Sequence, residues 1–238
     1  MVCVKLISMT SAIESFEIRG FDMKYVWDYE NAFMWFSDPS RLLKLTAHYE
    51  LFKQSLGLPG DIIEFGTYKA NSLIRFATFR HLFEADDSRK IFAFDAFGDF
   101  PTASGMSKED LAFVDSFESA GGPGLSTLQI EQILSLKGFK NIQLIQGDVA
   151  TTLPTFLNDN PNQRFSLIHL DCDTYEPTKV VLENLWNRVV RGGVMIFDDY
   201  GITEGETRAV DYFLNQRKEL QLHKLGHYQS PAYLVKTT

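Results

Sequence analysis

Residues 165–171 read FSLIHLD and residues 193–199 read GVMIFDD, and these two stretches decide the fold class. Both are short, nearly continuous apolar runs, which is typical of strands buried on both faces of a parallel sheet. Helical patterns follow them at about 177–190 and 205–219. Because strands that alternate with helices form layered domains, the sequence predicts a doubly wound α/β fold with helices on both faces of the sheet.

The alternation extends in both directions from these stretches. Upstream lie three further predicted strands and two predicted helices, at 61–65, 71–83, 90–95, 126–137 and 141–146. Downstream, residues 221–228 and 232–237 read as two strands joined by a Ser-Pro turn. The chain between these two is too short for a crossover helix, so they are predicted to be antiparallel.

Domain organisation follows from composition along the chain. Residues 1–37 are predicted to be an aromatic-rich N-terminal extension, and residues 38–238 a single domain that opens with a helix at Asp38-Pro39-Ser40. The segment 98–125 is rich in Gly and Pro and contains a short helical candidate. It follows the second strand of the domain and so leaves the carboxyl edge of the sheet, where ligands bind in such folds. We expect it to form a lid.

Composition excludes several classes of protein. The chain has 238 residues, 45% of them hydrophobic, which argues against disorder. Its net charge of −8 argues against nucleic acid or an anionic membrane as the main partner. Two cysteines rule out a disulfide framework and leave little scope for a four-ligand zinc site. Without a secretory leader or an apolar run of spanning length, the sequence predicts a cytoplasmic enzyme or binding protein.

Acidic residues stand at or just after the end of each of five predicted strands. They are Glu64, Asp95, Asp148, the pair Asp171 and Asp173, and the pair Asp198 and Asp199. Each one alone is most simply a helix cap or a turn residue. The carboxyl ends of parallel strands meet at one edge, however, so together these acids are expected to line one crevice. Facing carboxylates repel one another and need a cation or hydrogen-bond donors.

The acids divide into two groups by the chemistry they suit. Asp95, after the second strand of the domain, is placed to accept from ribose hydroxyls, and Asp148 could accept from an adenine amino group. Together with Glu64, they suit an adenosyl ligand. Asp171, Asp173 and the Asp198-Asp199 pair offer only hard oxygen ligands. Such a set suits Mg²⁺, or else Mn²⁺ or Ca²⁺, rather than zinc.

The turn after the first strand of the domain carries no phosphate-binding motif. It reads EFGTYKANS (64–72), with one glycine, and the GxGxxG pattern is absent. A dinucleotide is therefore disfavoured, and a phosphate-free adenosyl cofactor such as S-adenosylmethionine is favoured. The histidines show no metal-binding spacing: His169 is expected to be a core residue or to lie just behind the site, and Cys172 a small buried hydrophobe.

Four stretches carry a family resemblance: DIIEFGTYKANS (61–72), FDAFGDFP (94–101), LDCDTYEPT (170–178) and GGVMIFDDYG (192–201). With these motifs the sequence resembles class I S-adenosylmethionine-dependent methyltransferases, and among them the macrocin O-methyltransferase group. The resemblance implies a Rossmann-like, seven-stranded, mostly parallel sheet with the last strand reversed. It also implies S-adenosylmethionine and Mg²⁺ as cofactors, a sugar or glycoside hydroxyl as acceptor, and a homodimer.

The resemblance also implies roles for individual residues. Those that would bind the cofactor are Glu64, Gly66, Thr67, Tyr68, Ser72, Asp95 and Asp148. Those that would bind the metal are Asp171, Asp198 and Asp199. Asp171 resembles the acid that takes the substrate proton, and Asp173 is expected to assist it. One departure is that Lys69-Ala70-Asn71 stands where a basic residue and two glycines are usual, and the extra Cβ atoms are expected to crowd the loop.

The sequence is also compatible with three other functions. A catechol-type or phenolic O-methyltransferase would bind its metal at the same strand ends. The Asp198-Asp199 pair, however, favours the group of enzymes that methylate sugars. An NAD-dependent oxidoreductase is disfavoured by the missing glycines. A non-catalytic homologue is suggested by the unusual sequence of the first loop.

Overall fold

The computed structural model describes residues 16–101 and 106–237. Residues 1–15 of the predicted N-terminal extension and residues 102–105 of the predicted lid segment lie outside the described residues. The chain divides into two compact units, one up to Arg41 and one from Leu42 onward. The predicted domain boundary after residue 37 stays a prediction.

The first unit is small. A hairpin pairs β1 (Glu17–Ile18) with β2 (Phe21–Asp22), and helix α1 follows (Val26–Phe36). None of the α1 side chains is buried, and Trp35 and Phe36 are 70% and 82% exposed. Helix α2 (Ser40–Gln54) begins where the sequence predicts it, because the Ser40 N–H donates to Asp38 Oδ1 at 2.8 Å.

The second unit is built on a seven-stranded sheet. The strands in chain order are β3 (Asp61–Phe65), β4 (Ile91–Asp95), β5 (Ile142–Gln146), β6 (Phe165–Leu170), β7 (Val189–Phe197), β8 (His223–Lys224) and β9 (Ala232–Val235). Their order across the sheet is β5-β4-β3-β6-β7-β9-β8. Strands β3 to β7 are parallel, while β9 is antiparallel to both β7 and β8. The predicted fold class is confirmed.

Helices separate the parallel strands, as the alternation predicts. They are α3 (Asn71–Phe83), α4 (Lys108–Gly121), α5 (Thr127–Leu136), α6 (Val149–Asp159), α7 (Tyr175–Leu185) and α8 (Glu204–Asn215). Every residue of β6 is buried, since β6 lies at the centre of the sheet. Among the described residues, none of the helices combines the length and the apolar character needed to cross a bilayer.

The helices depart from the sequence-based expectations at three points: α6 has no predicted counterpart, α7 ends early, and α8 ends at Asn215 rather than near residue 219. Helix α6 was not predicted, because Pro154 interrupts its pattern and lacks an N–H for the helix ladder. Its apolar face compensates: Phe156 packs against Phe92 and Phe94 with ring centroids 4.9 and 5.4 Å apart. The helix predicted to continue to residue 190 ends instead at Leu185. The chain then enters β7 at Val189, which pairs with Phe165.

Candidate active site

The sheet order brings the predicted acids to one edge. Strands β5, β4, β3, β6 and β7 are neighbours and run the same way, so their carboxyl ends lie side by side. The acids after them follow the same order, starting with Asp148, Asp95 and Glu64, and continuing with two groups of aspartates. Because β3 is flanked by β4 and β6, Glu64 lies at the point where the strand order reverses, the usual ligand site of such sheets.

The loop after β3, residues 66–70, passes very close to the end of β6. Gly66 has φ +85°, and a Cβ at this position would lie 1.8 Å from the backbone oxygen of Asp171. Only glycine fits both the left-handed backbone and this approach. The Asp171 N–H donates to Phe65 O at 2.9 Å, which locks the two strand ends together. The loop and the acids after β6 therefore form one continuous surface.

Glu64 is completely buried at the start of this surface. Its Oε1 accepts from the Ser72 hydroxyl at 2.7 Å, and its Oε2 has no hydrogen-bond partner among the described residues. Burial raises the pKa of Glu64 to about 7, while His169 and Ser72 partly oppose the rise. A buried carboxylate oxygen with free acceptor capacity fits an ammonium group such as that of an amino acid.

Asp95, at the end of β4, is fixed by backbone donors. Its Oδ2 accepts from the Tyr68 N–H at 2.9 Å and its Oδ1 from the Phe97 N–H at 2.6 Å. Both donors have positive φ, so local backbone strain accompanies this arrangement. Asp148 caps α6 by accepting from Ala150 N–H at 2.8 Å. Each carboxylate oxygen keeps a second lone pair for a ligand.

The unusual residues of the first loop occupy different positions. Ala70 lies in the left-handed region at φ 61°, where glycine is easily accommodated, and it precedes α3 as the N-cap residue. Asn71 is exposed and is the first residue of α3, so its side chain does not crowd the buried part of the loop. Lys69 reaches out of the loop to Gly121 O at 2.6 Å. Thr67 is buried and its hydroxyl has no partner among the described residues.

Three aspartates form a compact cluster on the other half of the edge. One carboxylate oxygen from each of Asp171, Asp173 and Asp199 lies within 4.8 Å of the other two. Burial and then the charges of Asp198 and Asp199 raise the pKa of Asp171 well above its usual range. Burial and Asp199 do the same to Asp173, and burial and Asp198 raise the pKa of Asp199. Three crowded carboxylates with only oxygen donors fit a hard divalent cation.

Asp198 belongs to a different group from the one its sequence position suggests. Its Oδ1 lies 2.9 Å from His48 Nε2 and 3.5 Å from His169 Nε2, and its Oδ2 pairs with the Lys44 ammonium. Burial opposes ionisation of Asp198, but the imidazoles of His169 and His48 hold its pKa well below the usual range. Of the predicted metal set, Asp171 and Asp199 lie together, and Asp173 rather than Asp198 completes the cluster.

Lys44 and His48 are site residues that the sequence analysis missed. Burial lowers the pKa of His48 to about 4, so the ring is neutral near pH 7 and its Nε2 donates to Asp198. Burial opposes the charge of Lys44 as well, but Asp198, Asp171 and Asp199 outweigh it and raise its pKa. Their spacing in the sequence could have indicated that they belong to the site. Residues i and i+4 share one helix face, and Lys44 and His48 place two polar side chains on one face, toward the end of a buried strand.

Glu206, in the first turn of α8, is another residue of the site that the sequence analysis missed. Its Oε1 accepts from the Asp199 N–H and its own N–H donates to Asp173 O, both at 3.0 Å. Burial and then the charges of Asp199 and Asp173 raise the pKa of Glu206 well above its usual range. It ties together the two chain segments that carry the cluster. In the sequence it is indistinguishable from an ordinary acid of a first helical turn.

The segment predicted to form a lid contains a well-formed helix. Helix α4 (Lys108–Gly121) is capped by Ser107, whose hydroxyl oxygen accepts from Asp110 N–H at 3.0 Å. Its other end meets the first loop, where Tyr68 Oη donates to Gly122 O at 3.1 Å. Cys172 is buried with a free thiol whose pKa is raised well above its usual range by burial, as expected of a small hydrophobe.

The sequence is similar to those of known proteins. The sequence profile of the macrocin O-methyltransferase (TylF) family matches residues 37–224. A Streptomyces olivaceus protein, 8-demethyl-8-(2,3-dimethoxy-alpha-L-rhamnosyl)-tetracenomycin-C 4'-O-methyltransferase, is 29% identical over 66% of this chain and 59% of its own length. Mycinamicin III 3''-O-methyltransferase of Micromonospora griseorubida is 28% identical over 61% of this chain and 57% of its own.

A solved structure is also similar. The TDP-rhamnose 3'-O-methyltransferase CalS11, an enzyme in calicheamicin biosynthesis, matches with a TM-score of 0.63 and 28% identity, covering 88% of this chain and 86% of CalS11. The chain spans less than two thirds of the length of the two curated relatives. Since the profile match extends over most of the chain and includes every predicted acid of the site, the protein belongs to the macrocin O-methyltransferase (TylF) family.

Proposed function

We propose that this protein is an S-adenosylmethionine-dependent O-methyltransferase that uses Mg²⁺ and methylates a hydroxyl of a sugar or of a glycosylated natural product. One observation carries the proposal. A loop suited to an amino acid and a ribose touches, through Gly66 and Asp171, a cluster of three carboxylates suited to a divalent cation. A methyl donor and an activated hydroxyl could thus be held side by side.

The acceptor class is supported by the relatives. The tetracenomycin and mycinamicin enzymes are named for methylation at primed positions, and CalS11 for the 3'-position of TDP-rhamnose. We extend this class to the present protein: a sugar ring with neighbouring hydroxyls, either in a nucleotide sugar or in a glycoside. A catechol-type acceptor is the weaker alternative. Methyltransferases of that type are expected to use a metal at the same strand ends, but they are not members of the family to which this chain belongs.

The cofactor half would hold S-adenosylmethionine through charge and hydrogen bonding. Glu64 would accept from the ammonium of the amino-acid part, with Ser72 holding its other oxygen. Asp95 would accept from the ribose hydroxyls and Asp148 from the adenine amino group. Gly66, Thr67 and Tyr68 would follow the cofactor with their backbone. No phosphate needs a cradle, which agrees with the single glycine of this loop.

The acid cluster has the donor chemistry that Mg²⁺ requires. Asp171, Asp173 and Asp199 would hold the cation, and Asp198 would join them only if Lys44 gave up its ion pair. When bound, the cation supplies a Lewis acid that lowers the pKa of a neighbouring hydroxyl. The chain contributes the rest of the electrostatics through Lys44, Glu206 and His48, which hold the acids in place.

Asp171 is the residue we assign to proton removal. Its carboxylate would accept the proton of the acceptor hydroxyl. S-adenosylmethionine, held by Glu64 and Asp95, would supply the methyl group to the hydroxyl oxygen and would leave as the neutral thioether. Burial and the charges of Asp198 and Asp199 raise the pKa of the Asp171 carboxyl in the metal-free protein, and a cation held by the cluster would oppose that rise. Asp173 would assist, and the close approach of Gly66 keeps the methyl donor near the base.

Calorimetry tests the cofactor. S-adenosylmethionine should bind, NAD should not, and Mg²⁺ should bind independently of NAD. Absence of S-adenosylmethionine binding at millimolar concentration would overturn the proposal. Turnover should then be screened with TDP-rhamnose, rhamnosyl glycosides and catechol, each with Mg²⁺ and with EDTA. Methylation of catechol alone would transfer the protein to the phenolic class.

The homodimer belongs to the same proposal. It is supported by the aromatic side chains that the first unit exposes, including Trp27, Trp35 and Phe36. Light scattering on the purified protein should give twice the mass of the chain, and a monomer at all concentrations would contradict it. The cytoplasmic location stays a prediction.

A further inference from the structure

Helix α4 is attached at both ends to the two halves of the candidate site. At its beginning, Asp110 is 4% exposed and its Oδ2 accepts from the Tyr175 N–H at 3.4 Å. Tyr175 lies two residues after Asp173 of the acid cluster. A Cβ at Gly205, in the first turn of α8, would lie 2.3 Å from Asp110 Oδ1, so the helix is packed tightly there. The start of α4 is thus fixed beside the acid half.

The end of α4 is held by the loop that we assign to the cofactor. Lys69 Nζ donates to Gly121 O at 2.6 Å, and Tyr68 Oη donates to Gly122 O at 3.1 Å. The Tyr68 ring also packs on Phe117 of the helix, with centroids 4.8 Å apart. Just beyond the helix, the Leu125 N–H donates to Tyr68 O at 2.8 Å. Two consecutive loop residues therefore make every one of these contacts.

These contacts stabilise the C-terminal end of α4. The last carbonyls of a helix have no partners within it and carry a partial negative charge. The last turn of α4 contains no basic residue of its own. Lys69 supplies the missing cation from another segment, and Tyr68 supplies a second donor. Gly122 caps the helix through its own N–H to Glu118 O, and the loop adds the side-chain donors that the last turn lacks.

Tyr68 connects this attachment directly to the cofactor half. Its backbone N–H donates to Asp95 Oδ2, the carboxylate assigned to the ribose, while its side chain holds the end of α4. With φ 47°, Tyr68 is held in a sparsely populated backbone conformation. One residue therefore contacts both the proposed ribose carboxylate and the end of α4.

We propose that Tyr68 and Lys69 are positioning residues that fasten helix α4 to the cofactor loop, so that occupation of the loop by cofactor determines how firmly α4 is held beside the acceptor site. The inference rests on the proposed function, because it takes this loop as the cofactor site. It also assigns a role to Lys69, which stands outside the set of residues that we assign to the cofactor.

Hydrogen exchange of residues 108–121 measures the fastening directly, with S-adenosylhomocysteine as the probe. In the wild-type protein, the probe should slow exchange in α4. In Lys69→Met and Tyr68→Phe, exchange should be about tenfold faster and protection by the probe largely lost. In Lys69→Met, affinity for the probe, measured by calorimetry, should change less than threefold. Lys69→Arg should restore the wild-type behaviour, since it keeps the cation at the helix end.

Lys137→Met is the matched control, because Lys137 also stands at a helix C-terminus, that of α5, away from this loop. It should leave exchange in α4 unchanged. Equal exchange in α4 for wild type and Lys69→Met, with and without the probe, would overturn the fastening. If the probe fails to bind any variant, the proposed function fails instead, and the comparison of unliganded proteins still decides the fastening.

A suppressor pair provides an independent test. A Cβ at Gly121 would lie 2.2 Å from Tyr68 Oη but 3.4 Å from the ring carbon that carries it. Gly121→Ala should therefore loosen α4, and adding Tyr68→Phe should remove the clash. The double variant should exchange no faster than Tyr68→Phe alone. An additive effect of the two changes would contradict the contact and with it the proposal.

Discussion

The carboxyl edge of the sheet carries two groups of acids that differ in their surroundings. In the half formed by β3, β4 and β5, the carboxylates are separate, and each accepts from nearby donors: Ser72 for Glu64, two backbone amides for Asp95, and the first turn of α6 for Asp148. In the half formed by β6 and β7, Asp171, Asp173 and Asp199 crowd within 4.8 Å of one another.

The difference shows what each half lacks. Separate, hydrogen-bonded carboxylates are suited to neutral or singly charged donors on a ligand. Crowded carboxylates are repelled by one another and call for a cation of higher charge. Lys44 meets part of that need, since it pairs with Asp198 and lies 3.8 Å from Asp199 Oδ1. Changes to single residues of either half test this division.

Removing a carboxylate from the crowded half should abolish activity without weakening cofactor binding. Asp199→Asn takes away one proposed cation ligand, and changes behind a metal site already cost 10- to 100-fold, so turnover should fall by more than about 100-fold. Affinity for S-adenosylmethionine should stay within about threefold of wild type. Metal-free protein should melt at a higher temperature, because one repelling charge is gone. The exposed Asp87→Asn is the control, and unchanged turnover in Asp199→Asn would remove the cation from the proposal.

The contact between the two halves should be the least tolerant backbone position. Gly66→Ala combines the strain of a left-handed backbone with a clash against Asp171 O, and should destabilise the protein by about 3 kcal/mol or more. Gly57→Ala is the matched control, with φ 75° and no atom within 4 Å of the added Cβ. It should cost only about 1–2 kcal/mol. Urea unfolding measures both, and equal losses would show that the halves are not in contact.

Glu64 should make the stability of the cofactor half depend on pH. Burial raises its pKa from 4.5 to about 7, so between these values the folded protein keeps a proton that the unfolded chain has released. Its contribution to the free energy of unfolding therefore falls as pH rises through this window, by about 3 kcal/mol in all. His48, with its pKa lowered from 6.5 to about 4, contributes in the opposite direction over much of the same range.

The measurement must therefore compare Glu64→Gln with wild type rather than follow wild type alone. His48 is the same in both, so its contribution cancels. Without cofactor, the stability advantage of Glu64→Gln should grow from pH 5 to pH 8 by up to about 3 kcal/mol in urea unfolding. Parallel stability curves for the two proteins would mean that Glu64 is solvated and unperturbed.

Lys44 should compete with a divalent cation for the crowded half. Lys44→Met removes a positive charge beside Asp198 and Asp199, so binding of Mn²⁺, followed by electron paramagnetic resonance, should tighten by about tenfold. Metal-free protein should become less stable, because Asp198 loses its ion pair. Lys53→Met, an exposed lysine of the same helix, is the control. Weaker Mn²⁺ binding in Lys44→Met would show that Lys44 supports the cation site instead.

The fold could be predicted from sequence because apolar strands and amphipathic helices each have a characteristic periodicity of apolar residues over a short stretch of chain. The five parallel strands, the antiparallel ending and the helix start at Asp38 all followed from neighbouring residues. Helix α6 escaped because Pro154 is unfavourable locally, and only packing of Phe156 on β4 compensates for it. The end of α7 was misplaced because the pairing of Val189 with Phe165 is a long-range contact.

The acids that reach the carboxyl edge follow from the order of residues along the chain, because each stands at the end of a strand and parallel strands end together. Their partners depend on how distant segments pack. Asp173 lies with Asp171 and Asp199, Asp198 pairs with His48 and Lys44, and Glu206 is buried behind the cluster. The two kinds of feature differ in how far apart along the chain the interacting residues lie. Strand and helix patterns depend on residues a few positions apart, whereas ion pairs and pKa shifts depend on distances of a few ångströms between segments far apart in the chain.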